Sequence, residues 1–343
     1  WWSWRWIFWI NVPVGALALF GIWRFFRETR SKSPRGALDL AGMALMTTGL
    51  LAFLGLLLMG GRNFPWLSGP GVILMAMIPL CSAGFYWVEK RARDPLLAIA
   101  FFGRPGFASG NLAVFFSSFA IFALFAFAPL FIQGVMGRTP MEVGVGMLAL
   151  SLGWSVGSLA LGQVVHRVGH RPASLSGGLL LALGCAIPLL FGVDTGMGPL
   201  FGAYTVIGLG MGGVSLATLL VVQESLERED LGVATATHQL SRTVGGTVGV
   251  GICGGVVNLG MTRLNGLLPT AATDAARPPD TGEIMTRLLQ PEALNQLPAA
   301  VQAQLQEAVA ATMQSVQWCV LAAALISAVL CLAIPGRRQG ENR

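Results

Sequence analysis

The chain has 343 residues, 54% of them apolar and 11% charged, with 45 glycines and a formal net charge of +6. Soluble domains carry about a quarter charged residues, so this composition excludes a soluble globular protein and leaves a polytopic α-helical membrane protein. The Arg and Lys residues lie between apolar stretches, which argues for cytoplasmic loops and a lipid bilayer as partner, and against nucleic acid.

The chain opens on Trp1-Trp-Ser-Trp-Arg-Trp-Ile-Phe-Trp-Ile10. Its tryptophans read as an interfacial aromatic belt, each ring body toward lipid and each N–H near water. They run into an apolar stretch without a start methionine, the pattern expected of the middle of a membrane protein. A hydrocarbon core of about 30 Å needs about 20 apolar residues. Segments 6–26, 37–59, 70–88, 107–133, 141–163, 173–193, 200–223, 232–258 and 314–335 meet that length, giving nine predicted transmembrane helices.

The basic residues choose an orientation. With the C-terminus in the cytoplasm, fifteen fall inside and six outside, while Arg242 falls within a span. This positive-inside bias predicts that the N-terminus of the chain lies outside. Most connections are short, with two exceptions. Residues 89–106 hold a basic stretch and a short apolar piece, 95–102, expected as a cytoplasmic linker along the membrane surface. Residues 259–313 form a long external loop in which Leu297, Val301, Leu305 and Val309 recur every four residues. That spacing predicts an amphipathic helix with Pro298 near its start, resting on the outer interface or, as the functional alternative, serving as a gate.

Two motifs are decoys. Gly249-Val-Gly-Ile-Cys-Gly254 fits the dinucleotide fingerprint but sits inside a predicted helix, without the strand and free helix N-terminus that phosphate binding needs. Gly153-Trp-Ser-Val-Gly157 fits the nucleophile elbow, yet mid-helix Ser155 has no strained turn to expose it. Cys81, Cys185, Cys253, Cys319 and Cys331 all lie in apolar stretches as small buried hydrophobes. No catalytic residue, metal site or cofactor is therefore expected, and no enzyme.

Ionisable groups within membranes are costly and mark candidate sites. Arg242 stands well inside its span, with His238 one turn earlier on the same face and Gln239 beside it. That face lines a cavity with His238 protonatable near neutral pH, or else Arg242 bonds backbone carbonyls and His238 is a packing residue. Asp39, at the start of its span, reads as a helix N-terminal acid. Phe115, Phe119 and Phe122 fall roughly along one face with Asn111 a turn earlier, suited either to bulky lipophilic cations or to lipid. Gln133 and Trp154 are weaker candidates.

The stretch Gly162-Gln-Val-Val-His-Arg-Val-Gly-His-Arg171 resembles the G-x-x-x-D-R-x-G-R-R loop of the major facilitator superfamily, with His166 at the aspartate position. Gly162, Arg167, Gly169 and Arg171 match; read without the resemblance, such a loop is positive-inside filler. Trp4-Arg-Trp-Ile-Phe-Trp-Ile-Asn-Val-Pro-Val-Gly15 looks like the sixth span of the 14-span drug:proton antiporter branch of that superfamily. Asp39-Leu-Ala-Gly42, Asp94-Pro-Leu-Leu97, Gly232-Val-Ala-Thr-Ala236 and Arg242 with Gly245-Gly246 follow in the branch's order.

The resemblance implies a major-facilitator-type helix bundle, all-α, with nine of an expected fourteen spans present in an N-terminally truncated fragment. Residues 1–35 would hold the last helix of the N-terminal six-helix bundle and a cytoplasmic loop. Residues 36–106 would hold two extra central helices and the linker, and residues 107–343 the C-terminal six-helix bundle. It implies a conformational latch at Gly162, Arg167, Gly169 and Arg171, and export of lipophilic small molecules by proton antiport and alternating access. The proton-carrying acids would lie in spans outside this chain. The rival expectations are a dedicated metabolite or antibiotic exporter of the same fold, and a non-transporting membrane sensor. The expected location is a bacterial inner membrane, and a periplasmic adaptor is left open as a partner.

Overall fold

A backbone in lipid has no water to satisfy its N–H and C=O groups, so it must close its hydrogen bonds within helices or a barrel. In this computed structural model the described residues are 6–25, 39–60, 64–91, 99–192, 195–264 and 299–336, and helices dominate them. Two units separate, Trp1–Ala37 and Leu38–Arg343.

In the first unit α1 (Trp6–Trp9) and α2 (Asn11–Phe25) follow each other across a single break at Ile10. The break is slight, because the Ile10 N–H still donates to the Trp6 carbonyl at 3.1 Å. The described side chains there are almost all exposed and apolar.

The second unit begins with an antiparallel pair, α3 (Leu40–Met59) and α4 (Gly69–Glu89). Asp39 caps α3, its Oδ1 accepting the Gly42 N–H at 2.8 Å, and Ser68 caps α4 through Gly71. Six helices follow: α5 (Pro105–Pro129), α6 (Pro140–Val168), α7 (His170–Ala186), α8 (Met197–Glu224), α9 (Leu231–Leu264) and α10 (Ala299–Leu332). Pro105 starts α5 where its missing N–H costs nothing. At its far end the helix widens past Pro129 into a π-turn, Leu130–Val135. Thr139 and Glu142 form a reciprocal capping box at the start of α6.

Glycine sets how closely these helices approach. On α8, a Cβ at Gly208 or Gly212 would collide with the α6 backbone at Leu150 or Trp154, and one at Gly210 with α7 at Leu181. Gly153 and Gly157 of α6 return the contact at Thr205 and Leu209. Helix α8 is thus gripped on two sides, while α9 closes on α5 and α10 bonds α5 through the Ser327 hydroxyl to the Ala113 carbonyl at 2.8 Å. Ile121, Leu150, Leu181, Ile207 and Met211 fill the space between.

Among the described residues, eight helices are long and apolar enough to span a membrane, and Asn11–Phe25 is a shorter apolar ninth. The expected separate amphipathic helix is corrected. Val301, Leu305 and Val309 belong to α10, which runs unbroken from Ala299 to Leu332 because that stretch contains no Gly or Pro. Val309 is buried in the bundle core, not laid on an interface. Leu297, Pro298, the rest of the long loop to 265, and Asp94-Pro-Leu-Leu97 lie outside the described residues; of the linker's apolar piece, Ile99–Gly103 forms a 3₁₀ turn.

Candidate functional site

Helices α6, α8 and α9 meet at Arg242. Its Nη1 reaches the Ser215 hydroxyl of α8 at 3.5 Å, and its guanidinium lies 5.4 Å from the Trp154 ring centroid of α6. Arg242 and Trp154 are both half-buried, with Gln239 and Thr243 exposed beside them. An ordered cation, an aromatic face and an amide therefore share one open side of the bundle, within the membrane-spanning length of α9. Such a surface can stack on, and donate hydrogen bonds to, an amphipathic molecule.

His238 is not on that open side. It is 3% exposed, and its Nε2 lies 3.0 Å from the Thr218 hydroxyl of α8. Thr218 already donates to the Val214 carbonyl at 2.6 Å, so the imidazole Nε2–H is the donor to Thr218. The histidine ties α9 to α8 while the arginine one turn later faces outward.

Asn111 is also turned inward. Its Nδ2 donates to the Phe107 carbonyl at 2.8 Å and its Oδ1 accepts from Ser241 of α9 at 3.3 Å. The three phenylalanines divide. Phe119 is buried, Phe115 is half-buried with its ring edge-on to Phe116, and Phe122 is 38% exposed. The backbones of Phe115 and Phe119 lie where a Cβ at Gly245 or Gly249 would be, which makes this stretch the α5–α9 contact. The decoys are also placed: Gly249 packs against α5, and Ser155 spends its hydroxyl on the Ser151 carbonyl at 3.1 Å.

At the opposite end of α6, Gly169 turns the chain into α7 with φ of +90°, a conformation that favours glycine. Gly162 packs against Leu216. Arg167 and Arg171 are exposed, and among the described residues neither has an ion-pair partner. The ion pair of this loop belongs to His170, whose Nε2 lies 2.7 Å from Glu224 Oε2 at the end of α8. Beside it Arg104 donates to the Ser225 carbonyl at 2.6 Å. The sequence reading missed His170, Glu224, Ser215 and Thr218. Among the described residues no cluster of His, Cys, Asp or Glu could hold a metal ion, and the cysteines are free.

A glycine-packed bundle with eight helices, among the described residues, long and apolar enough to cross a membrane defines a class, that of multi-pass α-helical membrane proteins. The chain matches the Major Facilitator Superfamily over residues 1–250 and belongs to that family of transporters, which are not enzymes. It is 32% identical over 312 residues to the multidrug transporter protein MdtP of Bacillus subtilis (strain 168), covering 87% of this chain and 58% of that protein. It is 31% identical over 255 residues to the efflux pump dotC of Dothistroma septosporum (strain NZE10 / CBS 128990), covering 72% of this chain and 44% of that protein. It is 27% identical over 261 residues to the multidrug resistance protein Stp of Mycobacterium tuberculosis (strain ATCC 25618 / H37Rv), covering 75% and 47%. The chain thus spans about half the length of the curated relatives it matches. Among solved structures it shares its fold with a bacterial homologue of the human lysosomal transporter Spinster in an inward-facing, occupied conformation. That match has a TM-score of 0.52 and 18% identity, covering 86% of this chain and 64% of the other.

Proposed function

We propose that this chain is part of a secondary active exporter that moves drugs or other amphipathic small molecules across a bacterial inner membrane in exchange for protons. The observation that carries the reading is Arg242 over Trp154, with Gln239 alongside, on an open side of the α5–α10 bundle. Relatives named for multidrug transport and efflux support it. In this reading residues 107–343 are the C-terminal bundle, residues 36–106 carry two central helices and a linker, and residues 1–35 end the N-terminal bundle. The N-terminus of the chain faces outside and the C-terminus the cytoplasm. The 162–171 loop steadies one state of an alternating-access cycle. Protons are carried by acids elsewhere in the intact transporter.

The test is efflux of a fluorescent cation such as ethidium from cells lacking their own pumps and expressing the intact protein. Efflux that stops when an uncoupler collapses the proton gradient, and that fails in Arg242→Ala, is the expected result. Efflux that persists after collapse overturns proton coupling, and absence of efflux overturns the drug reading.

A further inference from the structure

Helices α9 and α10 pack against each other in an antiparallel register fixed at two points. At the first, Gly260 of α9 faces Thr312 of α10 so closely that a Cβ on the glycine would collide with the threonine side chain. About two turns away, back along α9 and onward along α10, the same register brings Cys253 opposite Cys319. The two thiols meet there in a side-chain hydrogen bond. Both belong to one apolar cluster, Cys253 fully buried in it and Cys319 half-buried at its edge. The other thiols have different neighbours: Cys81 backs onto Gly49 of α3, Cys185 lies near Tyr204, and Cys331 bonds with Ser174 of α7.

A thiol beside a second thiol has a reversible oxidation open to it, because the neighbour can close a disulfide before oxidation goes further. Access is set by Cys319. One turn from it on either side, Ser315 and Ala322 are exposed while Val316 and Ala323 are buried, so Cys319 stands on the seam between the packed and open faces of α10. It also lies near the middle of Glu307–Leu332, the part of α10 long and apolar enough to cross a membrane. Charged oxidants and reductants are kept from that depth by the cost of leaving water. A quinone dissolves there.

We propose that Cys253 and Cys319 are a redox site within the membrane that closes to a disulfide on reaction with a lipid-soluble quinone. Two S–H bonds break and one S–S bond forms; the two electrons and two protons pass to the quinone, which leaves as its hydroquinone. Cys319 meets the quinone from the open face, and the sealed Cys253 supplies the second sulfur. The product joins α9 covalently to α10 and fixes their register. The site is built by these two helices alone and does not depend on the transport reading.

The experiment treats the purified full chain in liposomes with a short-chain ubiquinone, then denatures it, labels free thiols with N-ethylmaleimide and maps the peptides by mass spectrometry. Free thiols are expected to fall from five to three, with a Cys253–Cys319 crosslink within one chain that dithiothreitol reverses. Cys253→Ala and Cys319→Ala, which keep the site apolar, should each retain all their remaining thiols, whereas Cys81→Ala should still lose two. Wild-type protein that keeps five free thiols overturns the proposal. So does a crosslink between any other pair or between two chains, or one that persists in either variant at the pair. A quinone adduct on Cys319 without a crosslink overturns disulfide closure. Crosslinking at the same rate by ferricyanide, an oxidant excluded from the bilayer, overturns delivery from lipid. The expected crosslink in a protein that shows no efflux leaves this site standing and removes the transport reading alone.

Discussion

Arg242 and Trp154, on α9 and α6, hold each other across the open side of the bundle, guanidinium to ring centroid 5.4 Å. The contact is of cation–π type, worth about 0.5–2 kcal/mol according to how far water is excluded. Both partners are half-buried, so their role lies on the surface they present more than in the core they support.

On the proposed export function, Trp154→Ala and Arg242→Ala are therefore expected to cut efflux by the intact protein about tenfold or more. The unfolding stability of the detergent-purified chain should move by no more than about 0.5–1 kcal/mol. Trp154→Phe, which keeps a ring face, should retain most of the efflux. Ethidium efflux rates beside thermal unfolding curves make the check; equal losses of stability and efflux would refute a surface role.

His238 calls for the reverse outcome. It is buried against Thr218, and Thr218→Val would leave the imidazole N–H without its acceptor. An unsatisfied buried donor costs about 1–3 kcal/mol. The expected result is a lower unfolding midpoint with binding at the proposed Arg242 face unchanged. A binding loss with no change in stability would return His238 to the site.

What the sequence revealed and what it hid divide along physical lines. Apolar length is a local property, so the spans of α3–α9 were legible to within a few residues, and so was the N-cap at Asp39. The helical period placed His238 and Arg242 on one face, but a face of a helix is wide. Only the packed neighbour α8 decides that one is sealed by Thr218 and the other left open. The pattern Thr139-Pro-Met-Glu142 carried a capping-box signal that went unread. The four-residue repeat ending at Val309 was read correctly as helical and wrongly as separate, since the polar residues mixed into it masked its continuity with the last span. No local pattern joins Asn111 to Ser241, or His170 to Glu224, because those contacts are made by the fold and not by spacing.

The α5–α9 contact depends on absent side chains. A Cβ at Gly249 would meet the Phe119 carbonyl, backbone that cannot step aside, whereas one at Gly255 on the same helix meets nothing within 4 Å. Gly249→Ala should lower stability by about 1–3 kcal/mol through overpacking. Gly255→Ala should be neutral or stabilising by up to about 1 kcal/mol, from helix propensity alone. Thermal midpoints of the two variants, measured side by side, check the register of the two helices; equal effects would mean that α9 does not present Gly249 to α5.

The turn between α6 and α7 combines a backbone requirement with a charge. Gly169 adopts φ of +90°, where any Cβ is strained, and the next residue, His170, pairs with Glu224. Gly169→Ala is expected to cost about 1–2 kcal/mol from backbone strain. Glu224→Gln should cost no more than about 1 kcal/mol, because the Glu224 side chain is 60% exposed and the pair is screened. His170→Arg keeps the pair and should preserve stability, although it restores the arginine-rich character of the resembled loop. If the loop latches one state of the transport cycle, Glu224→Gln should change the efflux rate more than its small stability loss predicts, while Arg167→Gln and Arg171→Gln, which break no ion pair among the described residues, should change it less. Efflux rates of the three variants, each normalised to the amount of folded protein, decide the point. A larger effect at either arginine than at Glu224 would move the latch from the ion pair to the exposed arginines.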